Sequence, residues 1–197
     1  MTFYFITEPS FQLAIRHLLN SRAHNTISAA DFYESMEQFE IKGLYQRPAN
    51  VSKILQSWVQ NPTYPVVSVK WDGSTFVMSQ YPFPLFYEKW TAETIRPNNT
   101  PDSPWIIPIT YRTFYSSPSW NMTWLENGSS ILPGDYINTS LPIINTLEQG
   151  CYRVLYDDKT WKIMLFALSY NHTSFNVETR AGLISDVFAL ARYLPCK

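Results

Sequence analysis

The stretch Gly150-Cys151-Tyr152-Arg153-Val154-Leu155-Tyr156-Asp157, followed by Trp161, constrains the fold more than any other part of the chain. Aromatic, basic and branched residues alternate as they do in a strand, and Asp157-Asp158 then places negative charge where a helix begins. Trp161, Met164, Leu165 and Leu168 continue as one apolar stripe at helical spacing. Few folds need that order of residues.

Three helices are expected before this point. Phe11, Ile15, Leu18 and Leu19 recur at helical spacing behind Thr7 and Pro9, which suit a helix start. Ser28 and Asp31 form a capping-box pattern ahead of Phe32, Met36 and Phe39. Val51, Ile54, Leu55 and Trp58 mark the third helix, which Asn61-Pro62 ends.

From Tyr64 the period changes to two. Val67, Val69 and Trp71 alternate with Ser68 and Lys70, and the Asp72-Gly73 turn leads to Phe76 and Met78, a hairpin pattern. Short apolar bursts at Trp105 to Tyr111, Ser130 to Leu132 and Leu141 to Leu147 suit an antiparallel sandwich. A last helix carries Leu183, Ile184, Val187, Phe188, Ala191 and Leu194, with Pro195 as its stop. The expected class is therefore α+β, with N-terminal helices over 1–62, a central antiparallel β-sandwich over 63–157, and a C-terminal helix pair over 158–197 that begins an α-helical domain.

The segment from Gly150 to Asp157 resembles the GYYRVNYD-type segment of zinc aminopeptidases of the aminopeptidase N class, the gluzincin aminopeptidases. Further blocks follow in the family's order. Phe11, Ile15 through Leu19, His24-Asn25 and Asp31-Phe32 are similar to late helices of its catalytic domain. Trp58-Val59-Gln60 and Tyr64-Pro65-Val66-Val67 come next. Gln80 with Phe83, and Trp105 through Pro108 to Tyr111, resemble its sandwich strands. Arg180 to Arg192, with Asp186 inside it, resembles a helix of the family. On this resemblance Trp58, Gln60, Pro65, Gln80, Trp105, Pro108, Gly150, Tyr152, Arg153, Tyr156, Asp157, Trp161, Arg180 and Asp186 are structural motif positions, and none is catalytic.

In that family zinc is held by HExxH on a helix, two histidines one turn apart with a glutamate as general base. Neither HExxH nor the substrate-gripping GxMEN loop occurs in the chain, whose histidines are His17, His24 and His172. The expectation is no catalytic residue, no metal ligand and no cofactor here, with zinc belonging to the parent family. Met1-Thr2-Phe3 falls near a family segment just after the last catalytic residue, so the chain reads as a slice of a longer protein. Its partners would then be the parent's catalytic and helical domains, and the apolar face of the C-terminal helices should be exposed without them. The alternative is a stand-alone secreted module, derived from that family, that binds a protein or peptide.

A net charge of −1 from 15 basic and 16 acidic residues leaves no electrostatic footprint for nucleic acid. The longest apolar run, Ile163 to Leu168, is far short of the roughly 20 residues that span a bilayer. An apolar fraction of 45% is enough for a folded core.

Six sequons, at Asn50, Asn98, Asn121, Asn127, Asn138 and Asn171, exceed the roughly two expected by chance and point to an extracellular or cell-surface glycoprotein. Cys151 and Cys196 are compatible with a disulfide or with two thiols, and Cys151 is expected to point inward as a small hydrophobe.

Other functional readings face plainer ones. His17 and His24 suit a helix surface or helix end. Asp157 and Asp158 are adjacent, so they cap a helix and do not form a catalytic pair. Arg153 suits an internal salt bridge or aromatic stacking before an anion clamp. The aromatic segment from Trp105 to Trp124 suits a core before a sugar-binding surface.

Overall fold

A computed structural model describes residues 6–40, 48–83, 104–114, 120–134 and 141–192. Asn98, Asn138, Leu194, Pro195 and Cys196 lie outside them. The chain forms two compact units, Met1–Asn61 and Pro62–Lys197.

The first unit holds helices α1 (Glu8–Ser21), α2 (Ala29–Gln38) and α3 (Val51–Val59). Each begins where its sequence supplies an acceptor for an otherwise orphaned N–H. The Thr7 hydroxyl accepts from Ser10 N, with proline in the first turn of α1. Ser28 and Asp31 complete a reciprocal capping box at α2, and Asn50 accepts from Lys53 N at α3. Ala14, Leu18, Met36, Val51 and Ile54 supply the buried apolar faces. Polar bonds cross between helices where a side chain is too short to reach water. The Ser35 hydroxyl donates to Ala14 O at 2.7 Å, and Ser52 donates from both its backbone N and its hydroxyl to Glu37 at 3.0 Å.

The second unit is a sandwich with a helix pair. Strands β1 (Pro65–Trp71) and β2 (Phe76–Pro82) form the expected hairpin, closed by the pair Trp71 and Phe76. Its turn is set by the Asp72 carboxylate, which accepts from Ser74 N at 2.8 Å and Thr75 N at 2.7 Å, while Gly73 takes φ 111°. Those N–H groups hold the carboxyl down at about 2.

One sheet has the order β5-β2-β1-β7, with β5 at Ser129–Ile131 and β7 at Arg153–Tyr156. The other has the order β4-β3-β6, with β3 at Ile107–Thr113, β4 at Asn121–Leu125 and β6 at Pro142–Ile144. All pairings are antiparallel except β1 with β7, which run parallel. That exception follows from connectivity. The chain traverses the second sheet before returning to β1, and parallel neighbours require such a long crossover.

Val67, Val69, Met78, Val154 and Tyr156 align across three strands on the face toward the second sheet. There they meet a core that includes Ile107, Ile109, Leu125 and Ile143. Gln80, only 1% exposed, joins the two sheets. Its carboxamide donates to Trp105 O at 2.9 Å and accepts from Trp105 N at 2.8 Å. Tyr156 adds a second tie, its hydroxyl accepting from Ile144 N at 2.9 Å.

Helix α4 (Asp158–Asn171) follows β7 at once because Asp157 is its N-cap, accepting from Thr160 N at 2.7 Å. The same carboxylate accepts from Trp71 N at 2.7 Å, so it also fastens the end of β1. Helix α5 (Val177–Ala191) packs Leu190 against Val66, Tyr81 and Phe83 on the outer face of the four-stranded sheet. Five α-helices and seven strands in two sheets, among the described residues, make the fold α+β.

Candidate functional site

The most unusual local structure lies between β6 and β7, where Asn145, Leu147 and Glu148 all adopt positive φ, at 56°, 65° and 52°. Asparagine enters this region readily, whereas leucine and glutamate do so at a cost of about 1–3 kcal/mol each. Such a run persists only if its surroundings over-determine it, and Asn145 does so. Its backbone N donates to Thr110 O at 2.8 Å, and its carboxamide accepts from Gly150 N at 2.8 Å. The same side chain donates to Gly150 O at 3.2 Å and Tyr152 O at 3.4 Å.

This turn delivers Glu148 to the face of α5 at Gly182, where a Cβ would collide with its carboxylate. Glycine in a helix interior costs about 1 kcal/mol relative to alanine, so the close approach is its compensation. Asp186, one turn further along α5, is 5% exposed and accepts from Val154 N at 3.0 Å. Val154 belongs to the edge strand of its sheet, and the carboxylate satisfies an N–H that no further strand reaches. Arg153 donates to Asp186 at 3.1 Å and to the Ser185 hydroxyl at 2.6 Å, completing a clamp between β7 and α5.

The electrostatics of the clamp are set by burial. Desolvation pushes the Asp186 carboxyl up to about 6, against the pull of Val154 N–H and Arg153. Desolvation also raises Glu148 to about 7, with the Asp186 charge adding to it and Arg153 opposing. Beside the clamp lies a cleft of about 350 Å³ lined by Tyr64, Glu148, Gly150, Cys151, Tyr152 and Arg153.

The motif positions divide between this junction and the sandwich. Gly150, Tyr152, Arg153 and Asp186 meet at the clamp. Tyr156 and Trp161 stack at 6.0 Å beside Asp157. Gln80 and Trp105 sit in the sandwich interior, Pro108 is buried on β3 and Pro65 is buried at the start of β1. Arg180 lies apart, its guanidinium 3.0 Å from His172 Nδ1. Trp58 is half-buried near the end of α3, and Gln60 is that helix's exposed C-cap. Cys151 departs from expectation. It is exposed and free, because Tyr152 takes the inward position and turns its neighbour out.

Asn145, Glu148, Gly182 and Arg112 escape sequence reading. Arg112 is buried on β3 and donates to Ser174 O at 2.8 Å, and its burial pulls the guanidinium down. A helix-interior glycine is the one available signal, since Gly182 interrupts an otherwise good helical pattern.

Of the six sequon asparagines, Asn50, Asn121, Asn127 and Asn171 fall within the described residues, and all four are exposed.

His17 packs against Phe39 at 5.1 Å, and His24 takes φ 64° just past the end of α1. No group of three or more His, Cys, Asp or Glu among the described residues is placed to hold a metal ion.

The sandwich ends in this strand-to-helix clamp, with Gln80, Trp105, Arg153 and Asp186 following one another in chain order. Curated relatives over most of the chain are aminopeptidases of the aminopeptidase N class, and the chain matches one part of those longer proteins. It is 34% identical over 187 residues to an aminopeptidase-like protein of Caenorhabditis elegans, covering 92% of this chain and 16% of that protein. It is 28% identical over 189 residues to aminopeptidase Ey of Gallus gallus, covering 95% and 19%. With the thyrotropin-releasing hormone-degrading ectoenzyme of Homo sapiens it shares 26% over 202 residues, covering 97% and 18%. The chain thus spans less than a fifth of the length of these relatives. No family model matches it.

Proposed function

We propose that this chain is a non-catalytic scaffold portion of a zinc-dependent aminopeptidase that removes N-terminal residues from peptides. The observation that carries the reading is the clamp of Arg153, Val154 and Asp186. It engages Arg153 and Asp186, two of the motif's charged residues, in holding a helix against a sheet edge. The zinc site and the peptide-gripping groups would be supplied by other parts of the parent protein.

The setting we propose is extracellular or at the cell surface, as the human relative's description as an ectoenzyme suggests. No helix among the described residues is long and apolar enough to cross a membrane.

One observation favours the second reading, a self-standing protein- or peptide-binding module. The C-terminal helices expose Leu165, Phe166, Tyr170, Val177, Ile184 and Phe188, an apolar surface that a partner could cover. The scaffold reading explains the same surface by the parent's own helices.

The test is a peptidase assay on the purified chain with aminoacyl fluorogenic substrates, with and without added zinc. No turnover is expected under either condition. Zinc-dependent release of an N-terminal amino acid would overturn the assignment as non-catalytic.

A further inference from the structure

We propose that Asn171 carries an N-linked glycan, an inference that rests on the secretory setting proposed above. Asn171-His172-Thr173 is a sequon placed where α4 ends. Asn171 leaves helical geometry there, at φ −151° and ψ 77°, and is exposed.

The Thr173 hydroxyl donates to the Asn171 carboxamide oxygen at 2.7 Å, and among the described residues Asn171 Nδ2 makes no hydrogen bond. The sequon's two recognition residues are thus already together, and the nitrogen that is to be glycosylated stays free of hydrogen bonds. Because the contact spans only two residues, it needs no tertiary structure and can form in a chain still being made. His172 is directed elsewhere, its ring nitrogen lying 3.0 Å from Arg180.

The other described sequons lack this arrangement. At Asn50 the carboxamide caps α3 while the Ser52 hydroxyl is bound by Glu37. At Asn127 the Ser129 hydroxyl donates to Met78 O. Asn121 opens the edge strand β4, and no bond joins it to Thr123.

The co-reactant is a lipid-linked oligosaccharyl pyrophosphate presented by a membrane-bound transferase. A bond forms between Nδ2 and the anomeric carbon of the first sugar, and the bond from that carbon to the pyrophosphate oxygen breaks. The amide gives up one proton and the lipid pyrophosphate leaves. The glycan then stands next to Tyr170, which is 85% exposed and stacked on Phe166, and would screen that apolar pair from water.

The experiment is peptide mapping of the protein immunoprecipitated from cells that express it, after amidase deglycosylation in heavy-oxygen water. The expected result is a mass-tagged aspartate at position 171. In a secretory host, N171Q and T173A should each remove one glycan from the full chain and T173S should keep it. Tagged aspartate at other sequons with an untouched Asn171 overturns this site and leaves the secretory setting standing. A protein unmodified at every sequon overturns both.

Discussion

Removing the Gln80 side chain strips two buried backbone groups of Trp105 of their partners. Leaving a buried donor or acceptor unmade costs about 1–3 kcal/mol, so Gln80→Ala should destabilise the second unit by about 3 kcal/mol, read from urea unfolding. Asn145→Ala should cost a similar amount, since it frees Gly150 N and two carbonyls and releases the left-handed turn. A loss below about 0.5 kcal/mol at either position would mean that the bonds are replaced by water at no cost. Gln80 and Trp105 are both visible in the sequence as motif positions, yet their partnership is not, because 25 residues separate them. Asn145 has no periodic pattern to announce it, and its role depends on backbone dihedrals that composition does not encode.

At the scale of elements, the junction of β7 and α5 should tune stability with pH. Glu148 and Asp186 both titrate higher in the fold than their ordinary values of 4.5 and 3.8, at about 7 and about 6. The folded state therefore binds more protons than the unfolded chain between about pH 4 and pH 7. Stability should be fullest below that window and fall as pH rises through it. The held-down Asp72 acts in the opposite sense, but only at lower pH. Thermal melts of Glu148→Gln should show a shallower decline from pH 5 to pH 7 than the parent chain, and a slope unchanged by the substitution would contradict the assignment. Gly182→Ala should flatten the same slope by displacing the Glu148 carboxylate from α5, while the gain in helix propensity of about 1 kcal/mol offsets the disturbance.

The helices and the hairpin are legible in the sequence because caps, turns and apolar periods are local. Ser28 with Asp31, Asp157, and the Asp72-Gly73 turn all act within a few residues. The parallel pairing of β7 with β1 is not legible in that way, since it joins Val66 to Arg153 and Val69 to Tyr156 across most of the second unit. The outward turn of Cys151 follows from the inward one of Tyr152, and parity of that kind shifts with the choice of strand start.

For the whole molecule, the two readings differ in what covers the C-terminal helices. Phe166 and Phe188 are 70% and 72% exposed, so Phe166→Ser and Phe188→Ser should lower hydrophobic-dye binding while changing stability by no more than about 0.5 kcal/mol. Dye binding absent from the unsubstituted chain would mean that this surface is already covered. The likeness to the family is legible in the sequence from ordered blocks of short motifs, whereas the clamp between Arg153 and Asp186 emerges only when β7 and α5 are brought together. The central claim is that this chain scaffolds a larger aminopeptidase, and the most direct measurement is immunoprecipitation from expressing cells with an antibody to the Gly150–Trp161 region. The account predicts a species several times larger than 22.9 kDa that releases N-terminal amino acids and loses this activity to a zinc chelator. A band near 22.9 kDa with no such activity would contradict it and favour the stand-alone module.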